Sequence, residues 1–229
     1  MATAKLEVAP IEANFSLKDR IYNSLKQAIT SMNIYAEDAE LRLDERELSE
    51  RLTISRTPIR EALARLEQEG LVRIVPRKGV FIVRKTKEEI LEMITVWAAL
   101  ESMAARLVTL RASDEEIATL RKLFSTFEGD EITARIDEYS QRNIDFHSQI
   151  LKLSQCDLLN DIASNLFVHM RSIRARTISE DNRAKRSIID HIHIIEAIEA
   201  RDTDLAERLT REHTLNLAAH VADYVDYLD

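Results

Sequence analysis

Helical periodicity runs through almost the whole chain and fails at one place, and that place constrains the architecture most. Residues 71–83 read Leu71-Val72-Arg73-Ile74-Val75, then Pro76-Arg77-Lys78-Gly79, then Val80-Phe81-Ile82-Val83. Two β-rich runs around a basic, glycine-containing turn predict a hairpin. Elsewhere apolar residues recur three and four apart, the spacing of a helix with one buried face. With three Gly and three Pro in 229 residues, little interrupts that pattern. The expected fold is mostly α, with one small β element.

Three short helices lead into the hairpin. Ser16 stands three before Asp19 as a capping pair, and Leu17, Ile21, Leu25, Ile29 and Met32 share one face of the helix that follows. A polar connector, Tyr35 to Glu40, separates it from a second helix that opens at Asp44 with Glu47 and carries Leu48 and Leu52 inward. Thr53-Ile54-Ser55 breaks that helix. Thr57-Pro58 suits the start of a third, because proline in a first turn loses no internal hydrogen bond. Ile59, Leu63 and Leu66 form its buried stripe and Gly70 ends it. Residues 16–85 thus spell a winged helix-turn-helix behind a loose arm, 1–15.

Arg56 and Arg60 lie four apart on the outward side of the third helix. A helix N-terminus held at the major groove aims such residues at base edges or phosphates, and a basic wing tip reaches backbone or minor groove. Alone, an arginine pair of this kind is usually a solvated face balanced by neighbours such as Glu61 and Glu67. Its place in the helix-turn-helix spacing, with a wing behind it, favours nucleic acid.

Net charge, at -8, speaks against DNA only if the chain is one body. Residues 1–85 hold 15 Lys and Arg against 13 Asp and Glu, a balance of +2; the remainder holds 17 against 27, a balance of -10. A mildly basic front and an acidic back suit a DNA reader joined to a domain with another task. The single cysteine, Cys156, offers no internal disulfide, the chain opens without a basic-then-apolar leader, and no apolar run approaches roughly 18 residues. A soluble, cytoplasmic protein without a membrane partner is expected.

The run from Glu47 to Val72, with Ser55-Arg56-Thr57-Pro58, Arg60-Glu61-Ala62-Leu63 and Glu69-Gly70-Leu71-Val72, followed by Arg77-Lys78-Gly79, resembles the winged helix-turn-helix of the GntR family. The resemblance implies DNA contacts from Arg46, Ser55, Arg56, Arg60, Arg77, Lys78 and Gly79. It departs from the family at Ala36-Glu37-Asp38-Ala39-Glu40, where a Pro-Gly pair is usual.

Beyond residue 86 the pattern predicts about six helices packed as an antiparallel bundle. Thr86 with Glu89 and Ser113 with Glu116 are capping boxes, Gly129 marks a break, and further helices are expected over 131–153, 157–176, 182–200 and 203–227. The first carries Ile90, Ile94, Trp97, Leu100, Met103, Ala104 and Leu107 as its apolar stripe. All six histidines fall at or after His147. Asn143 and His147 share a helical face, while His191 and His213 stand one on each of the last two helices. One amide oxygen and three imidazoles from three helices suit a divalent transition metal with an open position for water or a carboxylate.

The segment Asn143-x3-His147 and the tail from Asp190-His191 to His213 resemble the C-terminal (FCD-type) domain of FadR-type GntR regulators, in the shorter VanR-like branch. That resemblance implies a metal held by Asn143, His147, His191 and His213, zinc first with nickel or manganese as alternatives, and a small organic acid as effector. Two departures stand out. Asn143 replaces the commoner Asp, and Trp97 replaces an arginine that would grip a ligand carboxylate. Candidate effector contacts are Trp97, His169, Arg171 and Arg174, although a core tryptophan and a charged helix face explain several of them equally well. The expected function is a dimeric, ligand-responsive repressor on a palindromic operator. Its rivals are a constitutive or architectural DNA binder whose back half only dimerises, and a metal-dependent enzyme.

Overall fold

The computed structural model describes residues 17–36, 38–125, 127, 135–180, 182–226 and 228. The expected arm, the Ser16 cap, the break at Gly129 and the first residues of the helix from 131 lie outside them. Contacts divide the chain into two compact units, one of residues 1–28 and 42–82, the other of residues 29–41 and 83–229.

The first unit holds most of α1 (Leu17–Ser31), with β1 (Arg42–Leu43), α2 (Glu45–Leu52), α3 (Arg56–Gln68), β2 (Val72–Val75) and β3 (Gly79–Ile82). Ile21, Tyr22 and Leu25 of α1, with Ile59, Ala62, Leu63 and Leu66 of α3 and Leu71, Val72, Val80 and Ile82 of the hairpin, are buried and form its core. Leu17, expected inside, is 48% exposed. Asp44 caps α2, its side chain accepting from the backbone N–H groups of Arg46 and Glu47. Gly70, at φ 72, makes the left-handed turn out of α3.

Sequence reading missed one element here. The expected hairpin pairs Val72 with Ile82 and Val75 with Gly79, but β1 adds a third strand on the other edge of β3, Arg42 opposite Phe81 and Leu43 opposite Val80. Two residues are too few to show alternation, and only the open edge of β3 gives them a partner.

In the second unit six helices are described: α4 (Lys87–Arg111), α5 (Asp114–Lys122), α6 (Ile136–Leu153), α7 (Asp157–Thr177), α8 (Arg183–Glu199) and α9 (Thr203–Tyr224). Both expected capping boxes form, at Thr86 with Glu89 and Ser113 with Glu116. Helix α9 lies along α4, which also touches α6, α7 and α8. Arg106 of α4 reaches Asp204 and Glu207 of α9, and Arg201 donates to the carbonyls of Thr109 and Ala112 at the end of α4.

The buried face of α4 differs from the expected one. Ile90, Ile94, Trp97, Ala98, Glu101, Ala104, Ala105 and Val108 are buried, while Met103 is exposed and Leu100 and Leu107 are half-buried. The stripe runs through Glu101, so a carboxylate enters the core. By length and composition α4 would also pass for a membrane span, but half of its most apolar window is buried within the unit. Residues 33–36 belong to this unit too: Arg84 donates to the carbonyls of Ile34 and Ala36, and Tyr35 packs under them, 4% exposed.

Candidate functional site

Every residue expected to contact DNA is at or near the surface of the first unit. Ser55 stands at the N-cap of α3 in extended backbone, its hydroxyl making no cap bond, and the first turn of α3 carries no acid. That leaves the positive end of the helix dipole unopposed, as an anion site requires. Arg56 and Arg60 are exposed beside it. Arg60 Nε donates to Glu45 Oε2 at 2.7 Å, which ties α3 to the start of α2, where Arg46 is exposed and bonded to Glu50 at 3.0 Å. Exposed ion pairs of this kind contribute roughly 0–1 kcal/mol, too little to keep an arginine from a phosphate. At the wing tip the Lys78 N–H donates to the Val75 carbonyl, closing a turn in which Arg77 has φ 65 and Gly79 φ 119. Arg77 and Lys78 are exposed there.

The second unit brings His147 of α6, His191 of α8 and His213 of α9 together, each fully or almost fully buried, with one nitrogen of each within 4.8 Å of the others. Their Nδ1 atoms are all held from behind. Glu101 Oε1 is bonded to His147 Nδ1, Asp190 Oδ2 lies 3.0 Å from His213 Nδ1, and the Tyr139 hydroxyl lies 3.4 Å from His191 Nδ1. A carboxylate can only accept, so His147 and His213 carry their proton on Nδ1 and turn an Nε2 lone pair inward. His191 Nε2 and His213 Nε2 are 3.2 Å apart.

Burial depresses the pKa of all three rings. At His147 the neighbouring Arg174 charge lowers it further, and at His213 the Asp190 hydrogen bond partly opposes the effect. Neutral imidazoles are the form that ligates a metal.

The fourth expected ligand is buried on the same helix as His147. Among the described residues three buried side-chain atoms lack a hydrogen-bond partner, and Asn143 Oδ1 is one of them. Asn143 is 2% exposed, one turn before His147 on α6. A buried carbonyl oxygen without a donor costs free energy that a cation would recover. Three inward imidazoles and this oxygen therefore fit a divalent metal.

The four candidate effector residues separate. Arg174 is 4% exposed and enters the cluster: NH1 lies 2.7 Å from His147 Nε2, and NH2 lies 3.3 Å from Glu101 Oε2 and 3.4 Å from Thr214 Oγ1. Arg171 instead points to Gln141, 3.5 Å away. His169 pairs with Tyr35, and Trp97 is buried in a tilted contact with Phe167, its indole nitrogen without a partner. Glu101, which joins His147, Arg174 and Thr214, escaped the sequence reading. Its one signal is a charged residue lying on the buried stripe of α4, four after Trp97. A cavity of about 530 Å³ opens beside His213 between α8 and α9, with Arg183, Arg186 and Asp190 in its wall.

A winged helix presenting a basic wing and a bare helix N-terminus, joined to a helical unit built around a buried histidine cluster, defines a DNA-binding transcriptional regulator. The sequence profiles agree: that of bacterial regulatory proteins of the gntR family matches residues 17–82, and that of the FCD domain matches residues 92–216. The chain belongs to the GntR family of transcriptional regulators, with an FCD domain as its second unit. It is 33% identical to the Nta operon transcriptional regulator of Aminobacter aminovorans, over 82% of this chain and 84% of that one. It is 23% identical to the HTH-type transcriptional repressor RspR of Escherichia coli, over 78% of each. Among solved structures, E. coli McbR/YncC superposes with a TM-score of 0.73 at 22% identity, covering 92% of this chain and 99% of that one; it shares the fold.

Proposed function

We propose that this regulator is a dimeric repressor that releases its operator when a small organic acid binds beside a metal ion in the FCD domain. The observation that carries the reading is the meeting of ring nitrogens of the buried His147, His191 and His213, with the unpartnered Oδ1 of Asn143 buried one turn before His147, inside a DNA-binding chain. Those four residues would hold the ion, which supplies a buried positive charge for an anion to answer. Mixed nitrogen and oxygen ligation admits zinc, nickel and manganese alike, and zinc is the first to test. Arg46, Ser55, Arg56, Arg60, Arg77, Lys78 and Gly79 would face the DNA, and residues 16–85 and 86–229 divide the two tasks. A protein with this work acts in the cytoplasm.

Pairing of two chains is supported by the outer side of α4. Val96, Leu100, Met103, Leu107 and Leu110 recur at alternating steps of four and three, the spacing of a helix-to-helix seam, and Val96, Met103 and Leu110 are 49%, 43% and 64% exposed. A dimer presents two α3 helices to the two halves of a palindrome. That one relative is a repressor supports the sign of regulation. A hydrolytic role is disfavoured because both carboxylates at the cluster, Glu101 and Asp190, are bonded to Nδ1 of a candidate ligand, which leaves neither placed as a base.

The test is metal analysis of untagged protein beside a His147→Ala, His191→Ala double variant. About one divalent ion per chain in the parent and none in the variant supports the reading. A parent that takes up no zinc, nickel or manganese overturns the metal centre and leaves the buried histidines as a purely hydrogen-bonded cluster in the FCD domain.

A further inference from the structure

His147 has no nitrogen to spare. Its Nδ1 is bonded to Glu101, and its Nε2, the lone pair a metal at this cluster needs, accepts from Arg174 NH1 at 2.7 Å. One lone pair serves the guanidinium or a cation, not both. A metal must therefore take His147 from Arg174. The guanidinium is then left with NH1 released and with Nε, which is buried and unpartnered already, while NH2 stays near Glu101 and Thr214. Two orphaned N–H groups on a buried cation, next to a second cation, call for an anion with acceptor oxygens.

Charge sets the valence of that anion. Three neutral imidazoles and the neutral Asn143 bring no charge to a dication. Among the described residues around the site and its cavity, the dication with Arg174, Arg183 and Arg186 stands against the carboxylates Glu101, Asp190, Glu180 and Asp223. One positive charge stays unanswered. Trp97 adds none, so a ligand with a second carboxylate would find no second cation at the α4 side.

Resting on the metal-centred reading above, we propose that Arg174 is the anion-gripping residue of this domain, handed from His147 to the ligand when metal arrives, and that the ligand is a singly charged carboxylate. The cavity between α8 and α9, with Arg183 and Arg186 in its wall, is the approach for that anion.

The experiment titrates zinc against a chromophoric chelator with the full-length protein, then titrates acetate, benzoate and succinate by calorimetry with and without zinc. Parent and Arg174→Met are compared. The variant should bind zinc about tenfold or more tightly than the parent, having lost both the competing donor and the adjacent charge. It should lose carboxylate binding. In the parent, acetate and benzoate should bind only with zinc present, and succinate no tighter than the better of the two. Arg174→Lys, which keeps a charge opposite Glu101, provides a folded comparison if the Met variant is unstable. It should bind carboxylate at least tenfold more weakly, because a point charge lacks the planar fork. Zinc affinity unchanged or weaker in Arg174→Met overturns the exchange. Carboxylate binding to zinc-free parent overturns the order, and a clear preference for succinate overturns the valence. Absence of zinc binding in parent and variants alike is the distinct result that brings down the metal centre itself, and this proposal with it.

Discussion

The hydroxyl of Tyr35 lies 2.9 Å from Nδ1 of His169, joining the segment after α1 to the middle of α7. The same hydroxyl accepts from the Lys85 backbone N–H at 3.2 Å, so one buried side chain ties residue 35 to the end of the β3–α4 connection and to α7. His169 is buried, and burial together with the Lys85 charge brings its pKa down to about 4, with Glu89 opposing.

That shift fixes a pH dependence. Above about 6.5 the ring is neutral in folded and unfolded chains and contributes no slope. Between about 6.5 and 4 the unfolded chain binds a proton that the folded one refuses, so stability falls as pH drops, by up to ~1.4 kcal/mol per unit. The histidines of the cluster act in the same direction. Urea unfolding at pH 7, 6 and 5 should show the decline, and His169→Gln, which retains a hydrogen-bonding atom without the titration, should show a shallower one. Identical slopes in parent and variant would remove His169 from the account.

Glu101 gives a second prediction, because it is the carboxylate partner of the buried Arg174 and holds His147 in the ligating tautomer. Truncating one member of a buried charged pair costs about 3–5 kcal/mol, since the other charge stays buried without it. Glu101→Ala should lose stability of that order in urea. Glu101→Gln keeps an acceptor for Thr214 and should lose less, yet weaken zinc binding by roughly 10–100-fold through loss of His147 orientation. A Glu101→Ala protein with the parent's urea midpoint would show that this pairing does not hold α4 to α7.

What the sequence made legible, and what it hid, follows from how local each signal is. Thr86 with Glu89 and Ser113 with Glu116 are satisfied within one turn, and both caps form as read. The wing was legible because its β-rich runs and turn residues are adjacent. His147 and Asn143 share a face by spacing alone, whereas the meeting of His147 with His191 and His213 depends on packing of α6, α8 and α9; the sequence offered the three imidazoles on three helices as a candidate metal set, and the family resemblance added its weight to it. Arg174 and Glu101 are 73 residues apart on different helices, and no periodicity relates them. Strand β1 exists because β3 has an edge to offer, a fact of the folded sheet.

Of the four proposed ligands Asn143 has least to give, since an amide oxygen carries no charge. Asn143→Asp places a carboxylate at the same position on α6. Zinc affinity should rise by about tenfold or more, read by chelator competition at fixed pH and salt. By the charge argument, the added carboxylate answers the one uncompensated positive charge, so acetate and benzoate should bind the zinc-loaded variant more weakly than the parent. Tighter zinc with undiminished acetate binding would separate the metal site from the anion site.

Arg77 stands at the wing tip with φ 65, a left-handed conformation that costs an L side chain free energy and glycine almost none. Packing does not explain an arginine there, because the side chain is exposed. Arg77→Gly should therefore leave folding stability unchanged or raise it by up to ~1 kcal/mol, since relief of the backbone is offset by the greater freedom of glycine in the unfolded chain. DNA affinity should fall by a similar factor on operator and on unrelated DNA, and the slope of log affinity against log salt should shrink by about one, the signature of a lost phosphate contact. Thermal unfolding and fluorescence anisotropy across a salt series measure the two effects on the same preparation. A variant that loses stability, or one whose DNA affinity and salt slope match the parent's, would mean that Arg77 serves the turn and not the DNA.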